Sequence, residues 1–347
     1  MKLDDLHYNL PGTLVALNPK KPRDKSSLLI NSSKKKIIMF KDIVSELNEN
    51  DALVFNDTKV INADFEGLCE GKKISINLNK LENKKKNIWS VFIKTNKKLI
   101  GGEKIDFFNI LHADLLIKKN DNKKEFFLEF NTSVTKLKFF LKKYGKIPIP
   151  PYIKIRGHNR RDNKDYQTFF AKHEGAVASP TASLHFTKSL INKLKKKKIK
   201  ILTITLHVNG ATFLPIRVDN INKHSMYFED GTITKRTASE INKVKKSGGR
   251  VIAVGTTVLR LLESSKDQYG FILPFNGSTN IFIKPGYKVD TIDGLITNFH
   301  TPRSTLLLLI HSLIGKKKTD ELYNFAIKKK LRFFSYGDAC LIWKNNE

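Results

Sequence analysis

Four short stretches gather side chains that can move protons or hold anions. In Arg250-Val-Ile-Ala-Val-Gly255-Thr256-Thr257, a strand pattern enters a helix pattern through Gly-Thr-Thr. Free N–H groups at a helix start, with two hydroxyls, make a cradle for a carboxylate or phosphate, and Gly255 admits a ligand close to the backbone. Arg260 and Glu263 follow, three residues apart on one helix face. The second stretch, Gly175 to Thr187, strings small residues and a Pro180-Thr181 turn ahead of His185, an acid or base at the start of a helix. In the third, Leu295 to Thr305, a buried strand empties Thr297, Asn298, His300 and Arg303 onto a loop before a very apolar helix that Ser304 can cap. Arg303 there suits phosphate or carboxylate recognition. The fourth, Arg332 to Ala339, puts aromatics and Asp338 at a turn, and aromatics beside cations can stack bases. His207 lies inside an apolar strand, where a hydrogen-bonded core role competes with chemistry.

The elements that must position these groups fall into three textures. Residues 1–61 mix turn signals with short apolar runs and end in the buried-strand pattern Ala52-Leu53-Val54-Phe55 running into Asn56-Asp57. Residues 62–150 are Lys-rich and read as short strands at 73–78, 88–93, 111–117 and 125–130, the spacing of a small barrel or sandwich. A helix over 132–144 follows, stopped by Gly145, and the proline tract 147–152 is expected to be extended and to cross between domains. Beyond 153 the pattern turns α/β. Helices are expected at 187–198, 237–246, 257–265, 304–314 and 319–329, with strands at 199–207, 250–254, 280–283 and 295–299. The expected fold class is a larger α/β (α+β) domain with an inserted small β-barrel. Residues 1–61 and 152–347 form the first and 62–151 the second.

Composition narrows the function. Lys and Arg number 63 against 33 Asp and Glu, a formal charge of +30, which points to a polyanion. Only 10 of the 63 are Arg, so a Lys-favouring composition competes as the explanation, with the Lys runs as solvated faces. The longest apolar stretch, around Leu306 to Ile314, falls short of the roughly 20 residues of a bilayer span. There is no signal-peptide pattern, and two isolated cysteines suggest a reducing cytoplasm. No G-x-G-x-x-G, G-x-x-x-x-G-K-[ST], C-x-x-C or H-E-x-x-H occurs, so dehydrogenase, P-loop and zinc-enzyme readings lose support, as does a Gly-rich methyltransferase.

Ten pieces in fixed order resemble the S-adenosylmethionine:tRNA ribosyltransferase-isomerases of queuosine biosynthesis. They are HYNLPGTLVA, LVFNDTKVI, IPPYI, DYQTFFAK, GAVASPTASLHFT, TLHV, GGRVIAVGTTVLRLLES, FIKPGY, LITNFHTPRSTLLLLI and RFFSYGDACLI. The resemblance implies that the ribosyl group of S-adenosylmethionine moves onto 7-aminomethyl-7-deazaguanine at the tRNA wobble position. It is isomerised to an epoxycyclopentanediol, with adenine and methionine released. A monomer fits the resemblance, and no metal is implied by it. A tRNA-binding protein with a decayed site is the alternative.

That chemistry requires a base for the C5′ proton beside the sulfonium, an acid for departing adenine, a partner for the ribose diol and one for the methionine carboxylate. Asp57, Glu263 and Asp338 are candidate carboxylates, and His185, His207 and His300 candidate proton carriers. Thr256, Thr257 and Arg303 suit the carboxylate or a phosphate. His185, Asp57 and His300 are the expected catalytic set. Thr181, Gly255, Thr256, Thr257, Arg260, Glu263, Asn298 and Asp338 are expected around the cofactor, and Lys59, Arg303 and Tyr336 on the nucleic acid. The chain departs from the family pattern at Ser27, Lys59, Asp64 and Leu214, where Arg is usual, at Asn62 for Pro, and at Ser183 and Asn209 for Gly. Lys in place of Arg keeps charge and loses the bidentate fork, while Asp64 reverses the sign.

Overall fold

The computed structural model describes residues 3–344 other than 33, 121, 122, 214, 215 and 217. Runs apolar on both faces suit strands buried on both sides. The runs in β3 (Ala52–Asn56), and further along in Val251–Val254 and Gly294–Asn298, become the fully buried centre of a nine-stranded sheet. Before β3 come β1 (Ser27–Ile30) and β2 (Lys36–Met39), and after it the short β4 (Thr58–Val60).

The chain then leaves for a closed six-stranded barrel of β5 (Asp64–Cys69), β6 (Lys72–Asn83), β7 (Ile88–Lys94), β8 (Lys104–Phe107), β9 (Leu111–Asn120) and β10 (Lys123–Phe130). Alternate residues such as Ile74, Ile76 and Leu78 fill its interior. Helix α1 (Val134–Tyr144) closes one end with Leu137, Phe140 and Leu141, and Ser133 caps it by accepting from Lys136 N–H. Gly145, extended just after α1, is required by crowding: a Cβ there would stand 2.2 Å from the Asn62 carbonyl oxygen.

The return path differs from the extended strap expected. Residues up to Pro150 are extended, but α2 (Pro151–Lys154) begins at once, with proline at the first turn, where its fixed φ and missing N–H suit a helix start. After α3 (Asp162–Asp165), β11 (His173–Ala176) pairs with β4. Then follow α4 (Lys188–Lys196), β12 (Lys200–Leu206), β13 (Glu229–Ile233), α5 (Lys235–Lys246), β14 (Val251–Val254), α6 (Thr256–Ser264), β15 (Phe275–Thr279), β16 (Gly294–Asn298), α7 (Thr305–Ile314), α8 (Lys316–Lys328) and β17 (Ala339–Trp343). The strand expected at 280–283 lies instead at β15, where the ladder with β13 outweighs the weak strand preference of Asn-Gly-Ser.

The large sheet runs β15-β13-β12-β3-β14-β16-β17-β1-β2. Strands β12, β3, β14 and β16 are parallel, while β17 runs opposite to β16. Ala52 and Val54 face α5, α6 and α7, whereas Leu53 and Phe55 face α4 and the turn at 40–46. The connections from β3 to β12 and from β12 to β14 therefore lie on opposite faces. Strand order reverses beside β3, and in such sheets ligands sit outside the strand carboxyl ends at that crevice. No described helix is long and apolar enough to cross a membrane.

The barrel is pinned to this sheet by polar contacts. Gly210 N–H donates to Asn79 Oδ1 at 2.9 Å, and Lys80 reaches Asp230 at 3.0 Å. Asp64 accepts from Lys154 Nζ at 2.6 Å, with His158 at 3.6 Å, so its reversed charge is matched by Lys154.

Candidate active site

Two clusters form along the edge where β12, β3, β14 and β16 end and β17 and β1 begin. The first surrounds His185, on the 3-10 turn Thr181–His185. Thr181 Oγ1 donates to Asn298 Oδ1 at 3.0 Å, and Asn298 Nδ2 donates to His185 Nε2 at 3.2 Å. His185 Nδ1 meets Ser26 Oγ at 2.7 Å. With Nε2 accepting, the ring proton belongs on Nδ1. Phe40 stacks on the ring with centroids 4.8 Å apart. Burial, with Arg23 and Arg332 nearby, pushes the imidazole down to about 3, so it is neutral at physiological pH. Neither nitrogen can exchange a proton with a substrate without breaking one of these bonds.

The second cluster stands where β3 passes into β4. Asp57 is buried; its Oδ1 accepts from Thr205 Oγ1 at 2.6 Å, and Oδ2 faces His173 Nε2 at 3.8 Å. His173 is half exposed and gives the cluster a route to solvent. His207 Nδ1 bonds Thr58 Oγ1 at 2.7 Å, and Gly175 lets the two strands close on this ring, since a Cβ there would lie 2.8 Å from it. Burial lowers the pKa of His207. Thr257 Oγ1 connects the clusters: it lies 3.5 Å from Asn56 Nδ2, and a Cβ on Gly255 would stand 3.5 Å from Thr257 Oγ1 and 3.8 Å from Ala182. Gly255, at φ 101°, makes the turn into α6 that an L side chain would resist. Thr256 and Thr257 thus sit in the crevice.

Other expected site residues are committed elsewhere. Arg260 and Glu263 do not pair: Arg260 bonds Glu229, while Glu263 takes Thr291 N–H and Oγ1, Asp290 N–H, Tyr287 Oη and Lys266. Glu263 is thereby held at the opposite edge, ahead of β16, whereas Glu229 opens β13 beside the carboxyl end of β12 and Arg260 Nη2 is buried without a partner among the described residues. His300 is buried against Thr297 and Tyr323, with its carbonyl accepting from Tyr8 Oη, and is likewise held at about 3 by burial. Asp338 accepts from the Ser27 and Arg332 N–H groups, which ties β1 to the start of β17. Arg303 reaches Asp4 at 2.8 Å on the surface. Lys59 pairs with Glu174, which also meets Lys138 of α1, so this charge lies at the junction with the barrel. Tyr336 is buried beside the His185 cluster. Leu214 lies outside the described residues.

Sequence reasoning missed His173, Ser26 and Arg23, and named Arg332 only as the start of the aromatic turn. Their only local signal was a rare Arg near Ser26 and another opening the aromatic turn. Among the described residues no group of three or more His, Cys, Asp or Glu could hold a metal ion.

A family profile described as "Queuosine biosynthesis protein" matches residues 3–342. Curated relatives named S-adenosylmethionine:tRNA ribosyltransferase-isomerase include one from Zymomonas mobilis, 42% identical over 99% of both chains. Another, from Sphingopyxis alaskensis, is 43% identical over 99% of this chain and 97% of its own. A crystal structure of S-adenosylmethionine tRNA ribosyltransferase from Thermotoga maritima aligns with a TM-score of 0.54 at 28% identity, covering 97% of this chain and 99% of that one. The similarity runs through both the sheet domain and the barrel, and the chain belongs to the queuosine biosynthesis family of S-adenosylmethionine:tRNA ribosyltransferase-isomerases.

Proposed function

We propose that this chain transfers the ribosyl group of S-adenosylmethionine onto 7-aminomethyl-7-deazaguanine at the tRNA wobble position and isomerises it to the epoxycyclopentanediol. The observation that carries this reading is family membership over the whole chain, joined to two polar clusters on one strand edge at the reversal of strand order. Asp57 is the base: its Oδ2 is free of the Thr205 bond and faces the crevice partner His173. Taking the C5′ proton beside the sulfonium is the step that needs it. His173, able to exchange with solvent, is the proton carrier for departing adenine. His185, held neutral by burial and by Arg23 and Arg332 nearby, and fixed in place by Asn298 and Ser26, positions rather than transfers. Thr257 and the N–H groups opening α6 hold a polar group of the cosubstrate. The enzyme works as a cytoplasmic monomer, and its excess positive charge receives the tRNA.

The test is mass spectrometry of a reaction with S-adenosylmethionine and tRNA bearing the aminomethyl base. Free adenine, free methionine and the modified nucleoside are expected. Asp57→Asn should lower turnover at least about 100-fold with tRNA affinity kept. Intact S-adenosylmethionine despite tight tRNA binding defeats the proposal.

A further inference from the structure

Against His185, where Ser26 meets its ring, lies a narrow cavity of about 10 Å³. Arg23, Arg332, Tyr336, Ser26, Lys20 and His185 line it. Three of these groups carry a buried polar atom with no partner among the described residues: Arg23 Nη1, Arg332 Nε and Tyr336 Oη. Each is otherwise anchored. Arg23 Nη2 donates to the Asp165 carbonyl at 2.6 Å, while Arg332 donates from Nη1 to Asn18 and from Nη2 to the Tyr336 carbonyl. Tyr336 is only 2% exposed. Burying polar hydrogens without acceptors costs stability, so three around one cavity indicate a site shaped for an acceptor. The nearest carboxylates leave it open: Asp165 meets Arg23 through Nη2 at 3.5 Å, Asp162 is paired with Arg156, and Asp338 is engaged by two backbone N–H groups.

We propose that Arg23, Arg332 and Tyr336 form the subsite for the α-carboxylate of the amino-acid part of S-adenosylmethionine. This rests on the function proposed above and names residues for one end of its cosubstrate. Size decides between anions. The cavity admits about one oxygen-sized group. A carboxylate at the end of a flexible chain can place a single oxygen in it, whereas the oxygens of a phosphodiester are flanked by two riboses. The donors come from separate residues and replace the single bidentate fork of a surface arginine. His185 forms an uncharged wall, so the carboxylate meets two cations and a hydroxyl without a competing titration at neutral pH.

Equilibrium binding of S-adenosylmethionine, its decarboxylated analogue and tRNA tests the assignment. Arg23→Gln and Tyr336→Phe should each weaken S-adenosylmethionine about 10-fold or more. The decarboxylated analogue should bind both variants as it binds the wild type, already weakly. Tyr336→Phe removes only a hydroxyl with no partner, so its fold is retained, and circular dichroism checks Arg23→Gln. Unchanged affinity for S-adenosylmethionine in the folded variants, or an equal loss for the analogue, overturns the subsite. A selective loss of tRNA affinity also overturns it, and assigns the cavity to an RNA phosphate. If the wild-type chain fails to bind S-adenosylmethionine at all, the functional reading falls and the subsite with it.

Discussion

His300 illustrates how a polar loop residue can be structural. Its ring bonds Thr297 at 3.0 Å and lies 3.3 Å from Tyr323 Oη, and its backbone N–H donates to the same hydroxyl. Removing the ring leaves buried hydroxyls short of a partner. His300→Ala should therefore cost at least about 1–3 kcal/mol in urea unfolding, with turnover per folded molecule close to wild type. A folded variant that has lost turnover would return His300 to the chemistry. Asp57 is the contrasting case, since one of its oxygens is tied to Thr205 and the other is left to face a solvent-linked histidine.

At the scale of elements, α7 carries a built-in sensitivity to acid. Its periodic Leu and Ile side chains bury nearly the whole helix, and Ser304 caps it by accepting from Leu307 N–H. His311 is buried in the same face with neither ring nitrogen hydrogen-bonded among the described residues. Burial holds it at about 4; Asp320, 4.0 Å away, pulls upward and Lys316 downward. Because the folded-state value lies below the unfolded one, the unfolded chain takes up the proton first. The stability contribution is complete above about pH 6.5 and is lost as pH falls towards 4. One such group contributes a slope of up to about 1.4 kcal/mol per pH unit, and His185 and His300 act in the same direction. Denaturant midpoints measured from pH 7 to 4.5 should fall steadily. His311→Leu should flatten that fall and raise stability at pH 5; an unchanged profile would show that α7 does not carry the effect.

Across the whole molecule the charge of +30 is spread over both domains. Lys193 and Lys196 of α4 and Lys197 just after it line a shallow open groove with Lys41, while Lys59 and Lys138 share Glu174 at the barrel junction. A tRNA engaging six or more of these cations loses about 10³-fold in affinity between 50 and 200 mM salt, whereas S-adenosylmethionine, a small zwitterionic cation, should respond weakly. Filter binding against salt concentration checks this, and a flat dependence would make the charge compositional. Two departures from the family pattern are absorbed locally: Asn62 Nδ2 donates to the Gly145 carbonyl and Asn209 Nδ2 to the Phe228 carbonyl, whereas Ser27 holds Asp338 only through a backbone N–H that Arg would also supply. Ser183 is buried with its hydroxyl unpartnered among the described residues, and nothing in the structure explains it.

What the residues determine by themselves is local. Alternation in 73–78 and 88–93 specifies barrel strands, helical spacing in α4 to α8 specifies amphipathic or buried helices, and Gly255 before two threonines specifies a tight strand-to-helix turn. Family membership is legible too, because short motifs in fixed order survive a Lys-rich drift. Tertiary structure alone decides which polar groups converge. Arg23, His185 and Arg332 stand some 160 and 150 residues apart and meet only because β1 and β17 are neighbours at the edge where β16 ends. The same strand order holds Glu263 at the opposite edge and buries His300 under Tyr323. A periodic pattern reports which side of an element is apolar; it carries no record of which distant element will cover that side.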